Sequence, residues 1–450
     1  MLPVLLLACT GDTVPADSAP HTVPWTREVP PLTLTLRGRT WQRGIIHLHS
    51  PWSHDACDGQ GIIDGEPNAA CLADFRAALC DNGLDYALTT DHPSYMAYQP
   101  YEDLLHLDTA AGDQPWPDAA SPVANRIACP DGHSVLLAPG IEDALMPVML
   151  DRHLAGTDEE RDVAYNGSSP DTIALYEELG GTTLVAHPEG RTRDEMLGHQ
   201  DAGLVGTETF NLHAMVDPNI REDDLGLDGL GWISDVAVFL DEYGTLTPDL
   251  VFLGIIEPQT PNLAHWDALS ARGPMTGIAG TDAHQNSLPM LMADGERVDS
   301  YRRMIRWFSN WLLADGADPP ALEAALRAGR NLVVFEAFGR PASPDVHLVT
   351  DEGTVVEAGG DATSGTLVVG CDTLSLDSPQ GPRAPEIHTT VLRDGEPWAE
   401  GCGEHALDGP GVYRVTVDIT PWHLIDFLDG DEAWIRPVPW LYYNPIRVGG

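Results

Sequence analysis

Short apolar runs alternate with segments of helical periodicity between residues 44 and about 340. The runs with the length and composition of buried strands are 44–49, 85–92, 134–143, 182–189, 204–211, 250–258 and 275–284. The segments predicted as helices are 72–82, 171–179, 299–314 and 320–328. Such alternation is typical of parallel βα folds, and it predicts an α/β domain, a distorted (β/α)7-type barrel, over residues 32–343.

Beyond residue 344 the pattern changes to short alternating strands separated by turns rich in glycine, proline and aspartate. The segments of this kind are DVHLVT, GTLVVGC, IHTTVLRDG, GVYRVTVDI and AWIRPVP. Their spacing predicts a small antiparallel β-sandwich domain over residues 344–450, with a packing or substrate-shaping role. In the preceding domain, Trp307, Phe308 and Trp311 are interpreted as core residues.

The first nine residues, MLPVLLLAC, resemble the lipobox of a bacterial lipoprotein signal. This resemblance implies lipidation at Cys9 and a place in the bacterial cell envelope, lipid-anchored or periplasmic. No basic residue precedes the run, so a start further upstream or a frayed apolar terminus stays open as an alternative. Residues 10–31 are rich in Pro, Thr, Ser and Asp, and they predict a disordered tether.

Six cysteines remain besides Cys9, an even number that an oxidising compartment favours. We predict a disulfide between Cys371 and Cys402, because both lie in the C-terminal segment. The pairing of the other four stays open, namely Cys57, Cys71, Cys80 and Cys129.

The chain carries 69 acidic and 24 basic side chains, a formal net charge of −45, and every basic residue is an arginine. Without lysine, Schiff-base catalysis and a P-loop are excluded. So negative a chain also argues against a nucleic-acid partner, since phosphate backbones are bound by clustered cations. The expected partner is a small molecule, with membrane contact only through the lipid anchor.

Histidine, aspartate and glutamate fall at the ends of the predicted strands, where barrels of this class carry their sites. The segments are His47-Leu48-His49, Ser53-His54-Asp55, Thr90-Asp91-His92, Gly140-Ile141-Glu142-Asp143, Ala186-His187-Pro188 and Gly280-Thr281-Asp282-Ala283-His284. In order and context they resemble the motifs of the polymerase and histidinol phosphatase (PHP) superfamily of metal-dependent phosphoesterases. The resemblance covers residues 44–340.

This resemblance implies up to three metal positions. The ligands it implies for one metal are His47, His49, Glu142 and Asp282. Glu142 would bridge to a second metal, completed by His153 and His187. The third set comprises His54, His92 and His284, with Asp55 as the alternative to His54.

The residue types agree with a metal centre independently of the family. Imidazole together with carboxylate suits Zn, Mn or Fe, whereas Mg and Ca prefer oxygen ligands. The expected cofactors are therefore two or three divalent ions. Such ions clamp the attacking and leaving oxygens of a phosphoryl transfer and make hydroxide available near neutral pH.

Further candidates for catalysis lie beside these motifs. Asp91 is expected to orient the metal site, or else to be a turn residue at a strand end. Arg191 and Arg193 are expected to bind a substrate phosphate, or else to be surface residues at a helix start. His213, with Glu208 on the same segment, is expected to line the pocket or to assist proton transfer.

These observations lead to one principal hypothesis, an exported metal-dependent phosphoesterase that hydrolyses a phosphomonoester or small phosphodiester with a metal-activated hydroxide. The first alternative is metal-dependent hydrolysis of a non-phosphate bond such as C–N. Arg191 and Arg193 discriminate between them, because the phosphate hypothesis loses support if both point away from the metals. The second alternative is a surface-anchored binding protein with structural metals.

Overall fold

The computed structural model describes residues 22–118, 120–240 and 246–449. Within these ranges the chain forms 24 strands and 11 α-helices. The strands up to residue 334 are β1 (Thr35–Leu36), β2 (Arg39–Leu48), β3 (Ile62–Ile63), β4 (Glu66–Pro67), β5 (Tyr86–Asp91), β6 (Gln114–Trp116), β7 (Ala124–Ala128), β8 (Ser134–Ile141), β9 (Met146–Val148), β10 (Thr182–Val185), β11 (Gly206–Asn211), β12 (Thr276–Ala283), β13 (Ser309–Ala314) and β14 (Asn331–Val334). The later strands are β15 (Val346–Val349), β16 (Val355–Glu357), β17 (Asp361–Ala362), β18 (Thr366–Val369), β19 (Glu386–Arg393), β20 (Glu396–Glu400), β21 (Gly403–Ala406), β22 (Gly411–Thr420), β23 (Val438–Tyr443) and β24 (Ile446–Val448).

The helices lie mainly between the strands of the first 330 residues. They are α1 (Ala56–Gly59), α2 (Ala69–Asp81), α3 (Pro93–Met96), α4 (Asp158–Tyr165), α5 (Pro170–Glu178), α6 (Arg193–Asp201), α7 (Leu212–Val216), α8 (Gly231–Val238), α9 (Thr260–Ser270), α10 (Tyr301–Trp307) and α11 (Pro319–Arg327). Short 3-10 segments occur at Tyr101–Leu105, Pro248–Gly254, Glu336–Phe338, Trp422–Leu428 and Glu432–Trp434, and a π-helical turn at Ile220–Asp224.

Six strands run parallel within a mixed sheet of 18 strands, in the order β10, β11, β12, β2, β5, β8. Gly280 of β12 pairs with Ile46 of β2, and Ile46 pairs with Leu88 of β5. These strands are buried almost throughout, as parallel strands covered on both faces are. Because parallel strands end at the same edge, the residues that follow them gather at one place.

The α/β class predicted from the sequence is confirmed, but two predicted elements take another form. Segment 250–258 is a 3-10 helix over Pro248–Gly254 rather than a strand. The predicted helix 299–314 ends at Trp307 and continues as β13, antiparallel to the first half of β2. Buried apolar runs of this length fit a helix or a strand equally well, so periodicity does not separate them.

These changes bear on the architecture. In the described ranges the continuous run of parallel neighbours has six strands, not seven, and these strands are paired into a mixed sheet, so the seven-stranded barrel is not confirmed. The aromatic residues at the junction of α10 and β13 are buried, which confirms their place in the core, namely Trp307, Phe308 and Trp311.

The C-terminal segment is joined to the same sheet. Strands β15, β16, β18 and β21 form a separate four-stranded antiparallel sheet. In contrast, β23 pairs with β14, and the side chain of Asn444 accepts a hydrogen bond of 2.8 Å from the Gly277 amide. The segment therefore extends the sheet that carries β12, and a self-contained sandwich is not confirmed. The boundary between residues 343 and 344 stays a prediction.

The part of the predicted tether that the structure describes lies against the folded chain. Val23 pairs with Gln380, and the indole of Trp25 donates a hydrogen bond of 2.9 Å to Asp249. Contacts with the folded chain therefore hold residues 22–31, whereas the sequence predicted an unstructured linker here. Cys9, the predicted signal and the rest of the tether lie outside the described residues.

Three disulfides connect the six cysteines of the described chain. They are Cys57–Cys71, Cys80–Cys129 and Cys371–Cys402. The last confirms the pairing predicted from the sequence, and the first two resolve the pairing that the sequence left open. No helix in the described part of the chain combines the length and apolarity needed to cross a membrane.

A buried ion cluster fixes α10 against the 3-10 helix Pro248–Gly254. Asp249 Oδ1 lies 2.6 Å from Arg302 and 2.5 Å from Arg303, and all three side chains are buried. Burial alone would raise the pKa of Asp249, but the guanidinium groups, that of Arg302 first, hold it well below its usual range. The cluster thereby fixes the helix that follows, after a loop, the chain segment with Asp282 and His284.

We predict that Asp249→Asn lowers the free energy of unfolding at pH 7 by about 3 kcal/mol, because it leaves buried guanidinium groups short of negative charge. The loss stays near the lower end of such effects, since Arg302 also contacts Glu296. Urea unfolding measures it. Asp201→Asn is the control, because Asp201 and Arg272 form an exposed pair and the expected loss is under about 1 kcal/mol. Equal losses in the two variants would contradict the prediction.

Candidate metal centre

The ends of the parallel strands deliver the predicted residues to one place. His47 and His49 come from the end of β2, His92 from β5, Glu142 from β8, His187 from β10, and Asp282 and His284 from β12. Strand β11 adds Glu208, and α7, which follows it directly, adds His213. The sequence therefore gathers histidines and carboxylates at the carboxyl edge of the parallel strands.

Asp282 is the centre of this cluster. Its Oδ1 lies 3.1 Å from His47 Nε2, 3.2 Å from His49 Nε2 and 3.2 Å from His284 Nδ1. Its Oδ2 lies 3.2 Å from His213 Nδ1 and 3.6 Å from His187 Nε2. One buried carboxylate thus faces five imidazoles.

Glu142 is a second buried carboxylate in the cluster. Its Oε2 lies 2.9 Å from His92 Nδ1, and its Oε1 lies 3.3 Å from His187 Nε2. His187 therefore stands between Glu142 and Asp282 and contacts both.

Three groups of side chains have ligand atoms close enough to hold a metal ion, within 4.8 Å of one another. The groups are His47, His187 and Asp282; His47, His49 and Glu142; and His49, Asp55, His92 and His284. His47 and His49 each belong to two groups, so any ions held here would be near neighbours.

The donors fit divalent cations. The Nε2 atoms of His47, His49 and His284 are buried, and although each lies 3.1–3.3 Å from a carboxylate oxygen, none of them meets hydrogen-bond geometry within the described residues. Unpaired buried nitrogens are rare in folded proteins unless another ligand satisfies them. A mixed imidazole and carboxylate set suits Zn, Mn or Fe.

The electrostatics point the same way. Burial alone would raise the pKa values of Asp282 and Glu142, but neighbouring histidines hold both well below their ordinary values. Burial would lower the pKa of His47, but Asp282 and Glu208 raise it to about 10. A protonated His47 balances buried negative charge, and a bound cation would take the place of that proton.

Carboxylates outside the three groups orient the histidines. Glu208 Oε1 lies 2.6 Å from His47 Nδ1, and Glu208 Oε2 accepts a bond of 2.8 Å from the His187 amide. Glu189 lies 3.4 Å from His187 Nδ1, and it accepts a hydrogen bond of 2.9 Å from the side-chain amide of Asn262. These contacts leave the Nε2 atoms facing the cluster. Sequence reasoning missed Glu189, although it stands two residues after His187.

Asp91 acts on the chain that follows the first two histidines. Its carboxylate accepts bonds of 2.6 Å and 2.7 Å from the amide and hydroxyl of Ser50, the residue after His49. Burial raises its pKa to about 7, although the Ser50 contacts oppose the rise. Asp91 is therefore a turn-fixing residue at the end of β5, and its predicted role in orienting a metal site stays a prediction.

Three cluster residues have left-handed backbone. The φ angles are 68° at His47, 49° at His187 and 48° at Asp282. Non-glycine residues pay about 1–3 kcal/mol for such a conformation, which persists only where surrounding contacts enforce it. Here it turns each side chain inward at the end of its strand.

The structure decides between His54 and Asp55. His54 is exposed, with its ring centroid 5.0 Å from that of His92. Asp55 Oδ2 lies 3.3 Å from His284 Nε2 and 3.7 Å from His92 Nε2. Asp55 therefore takes the position first assigned to His54, which lies at the rim.

His153 does not reach the cluster. Its Nδ1 lies 3.1 Å from the Tyr165 hydroxyl, and its Nε2 lies 3.0 Å from the carbonyl of Gln99. Both nitrogens thus have partners away from Glu142, which corrects the ligand position predicted for this residue. A loop histidine cannot be located from spacing alone, because loops set no fixed direction.

The two arginines also point elsewhere. Arg191 donates to Glu195 at 2.7 Å and to the Ala144 carbonyl at 2.6 Å, and Arg193 is exposed at the first position of α6. The surface reading therefore describes Arg193, and Arg191 braces the loop after β8. His213, in contrast, contacts Asp282 and keeps 47% of its side chain exposed, so a bound substrate can touch it.

Comparisons with known proteins add little to this geometry. No family model matches the chain, and no curated protein matches it. The chain is similar to the solved structure of a two-domain protein containing a predicted PHP-like metal-dependent phosphoesterase from Bacteroides vulgatus ATCC 8482. The identity is 12%, the TM-score is 0.38, and the match covers 94% of this chain and 99% of that chain. A likeness at this level defines neither fold nor activity.

Gly280 supports the cluster by having no side chain. A Cβ atom there would lie 1.8 Å from Glu208 Oε1 and 3.0 Å from His47 Nδ1. We predict that Gly280→Ala displaces the Glu208–His47 pair, lowers bound metal, and costs about 1–3 kcal/mol of unfolding free energy.

Elemental analysis and urea unfolding test this prediction. Gly198→Ala is the matched control, because Gly198 lies within α6 with no heavy atom near its Cβ position. The control is expected to keep its metal and to gain up to about 1 kcal/mol. Full metal content in Gly280→Ala would contradict the role given to Gly280.

The Cys57–Cys71 disulfide ties the loop that carries Asp55 to α2. The Cys57 amide also donates a hydrogen bond of 2.9 Å to the His284 carbonyl. We predict that the double variant Cys57→Ser, Cys71→Ser weakens, by about 10–100-fold, the affinity for the ion that His49, Asp55, His92 and His284 would hold. Metal content after dialysis measures this. The matched control is Cys371→Ser with Cys402→Ser; equal metal loss in both would contradict the local effect.

Proposed function

We propose that this protein is a metal-dependent phosphoesterase that hydrolyses a phosphomonoester or small phosphodiester. The observation that carries the proposal is the set of three ligand groups, which are linked because His47 and His49 each belong to two of them. Sites with two or three adjacent divalent ions suit phosphoryl transfer, because the ions contact both the attacking and the leaving oxygen.

The residues that would hold two or three Zn, Mn or Fe ions are His47, His49, Asp55, His92, Glu142, His187, Asp282 and His284. When bound, the ions would neutralise phosphate charge and supply hydroxide near neutral pH. Glu208 and Glu189 hold imidazole orientation through their contacts with Nδ1 of His47 and His187. His213 closes the cluster on the exposed side, where it contacts substrate.

A second candidate function is metal-dependent hydrolysis of a non-phosphate bond such as C–N. The orientation of Arg191 favours it, because this guanidinium is engaged by Glu195 and Ala144 rather than by the cluster. The phosphoesterase proposal then requires the ions to supply the positive charge that arginines supply elsewhere.

The cellular setting is also a proposal. Three disulfides support an oxidising compartment, consistent with export to a bacterial cell envelope and lipidation at Cys9. The charge of −45 supports a small-molecule substrate rather than nucleic acid.

The test is hydrolysis by metal-loaded protein of p-nitrophenyl phosphate, bis(p-nitrophenyl) phosphate and a matched p-nitroanilide. We predict that Asp282→Ala lowers kcat on the phosphoester about 10³-fold, because losing several kcal/mol of charge stabilisation costs a decade per 1.4 kcal/mol. His153→Ala is the matched control and is expected to retain activity and metal, since His153 lies outside the cluster.

The outcomes separate the alternatives. Anilide cleavage by a protein that is inert on both phosphoesters would support the second candidate. A wild type that holds metal, hydrolyses nothing, and loses only stability in Asp282→Ala would indicate structural metals.

A further inference from the structure

An enclosed cavity of about 100 Å³ adjoins the metal cluster. Its wall on the cluster side includes Asp282, His284 and His213. The remaining wall is mainly apolar, with side chains from α7, α10, the loop after β12 and the end of the 3-10 helix Pro248–Gly254, including Leu212, Val216, Ile255, Leu288, Met304 and Trp307. A group attached to a substrate in the cluster would therefore enter an apolar space.

The polar groups in this wall are engaged with other protein atoms. Asp299 Oδ2 accepts bonds of 2.7 Å from the amides of Ser287 and Leu288. The Ser287 hydroxyl donates a hydrogen bond of 2.7 Å to the side-chain oxygen of Asn286. The Trp307 indole donates a hydrogen bond of 2.9 Å to the Asp249 carbonyl. The apolar wall thus offers few partners for a hydroxyl of the substrate, and a hydroxyl buried there would lose its hydrogen bonds to water.

The volume of the cavity and the charge of its wall restrict the kinds of group that can bind there. At about 100 Å³ the space is well below the ~300–1,000 Å³ of a typical small-molecule site, so it suits a short alkyl group. No arginine lines the cavity, and Asp55 and Asp299 do. A second phosphate or a carboxylate on the substrate would meet like charge there.

We propose that this cavity binds a short apolar alkyl group of the alcohol in the phosphoester substrate, and that Leu288 determines this specificity. The proposal rests on the proposed function for the phosphoryl part of the substrate. It places small alkyl phosphates within the substrate class, and sugar phosphates and nucleotides outside it.

Binding tests the cavity without requiring turnover. Methylphosphonate and n-propylphosphonate are titrated by calorimetry into the zinc-loaded protein. The two added methylene groups are expected to tighten binding about 15-fold when buried. Adding two hydroxyls, as 2,3-dihydroxypropylphosphonate, is expected to remove that gain.

Leu288→Trp places a larger side chain in the cavity wall at a half-buried position. This variant is expected to bind the methyl and propyl ligands with nearly equal affinity. Leu376→Trp is the control, because Leu376 is 77% exposed and does not line the cavity, and it is expected to keep the 15-fold preference.

Each outcome has a definite meaning. Equal affinity of the wild type for both phosphonates would overturn the cavity proposal, as would an unchanged preference in Leu288→Trp. Tighter binding of propylphosphonate by a protein that releases no phosphate from any ester would support the cavity while overturning the phosphoesterase proposal. Binding of neither ligand would contradict both.

Discussion

The buried carboxylate of Asp282 lies within 3.6 Å of imidazole nitrogens from five histidines, and this contact constrains the sheet around it. His47 lies at the end of β2 and His49 directly follows it, so β12 and β2 must be parallel neighbours, as the pairing of Gly280 with Ile46 makes them. The backbone must also turn left-handed at His47 and Asp282 to bring the side chains together. Strand order, register and backbone strain all serve this contact.

The other acidic side chains in the site hold its histidines and its backbone in position. Glu208 holds one nitrogen of His47 and the His187 amide, while Asp91 holds the turn at Ser50. Removing any of these groups would leave a buried partner unsatisfied, which costs more than the contact itself contributes. The Glu208 carboxylate in turn requires a glycine at 280. Placement of the cluster residues therefore depends on side chains that touch no ion themselves.

The sequence predicted the strand-end part of the site well and the loop part poorly. His47, His49 and Asp282 lie at the ends of parallel strands, whose shared direction makes their meeting a consequence of the topology. His153 and His54 lie on loops, where a shift of one residue changes the direction of a side chain. His54 lies at the rim, whereas its neighbour Asp55 contacts His284. The prediction for segment 299–314 failed for another reason. Its apolar spacing fits a helix as far as Trp307, whereas Ser309–Ala314 pairs with the first half of β2 and becomes a strand, a tertiary contact that local periodicity does not report.

The charge of the site links cation binding to substrate binding. Asp282 and Glu142, whose pKa values neighbouring histidines hold low, face the cluster together with Asp55, and Glu208 lies behind it, whereas Arg191 is engaged by Glu195 and a carbonyl. An anionic substrate would meet repulsion here until divalent ions outweigh the carboxylates. In a chain with no lysine and a net charge of −45, the surface offers little compensation. His47, His92 and His187 are the groups that allow the change, because neighbouring carboxylates raise their pKa values and any proton they hold would be released when metal binds.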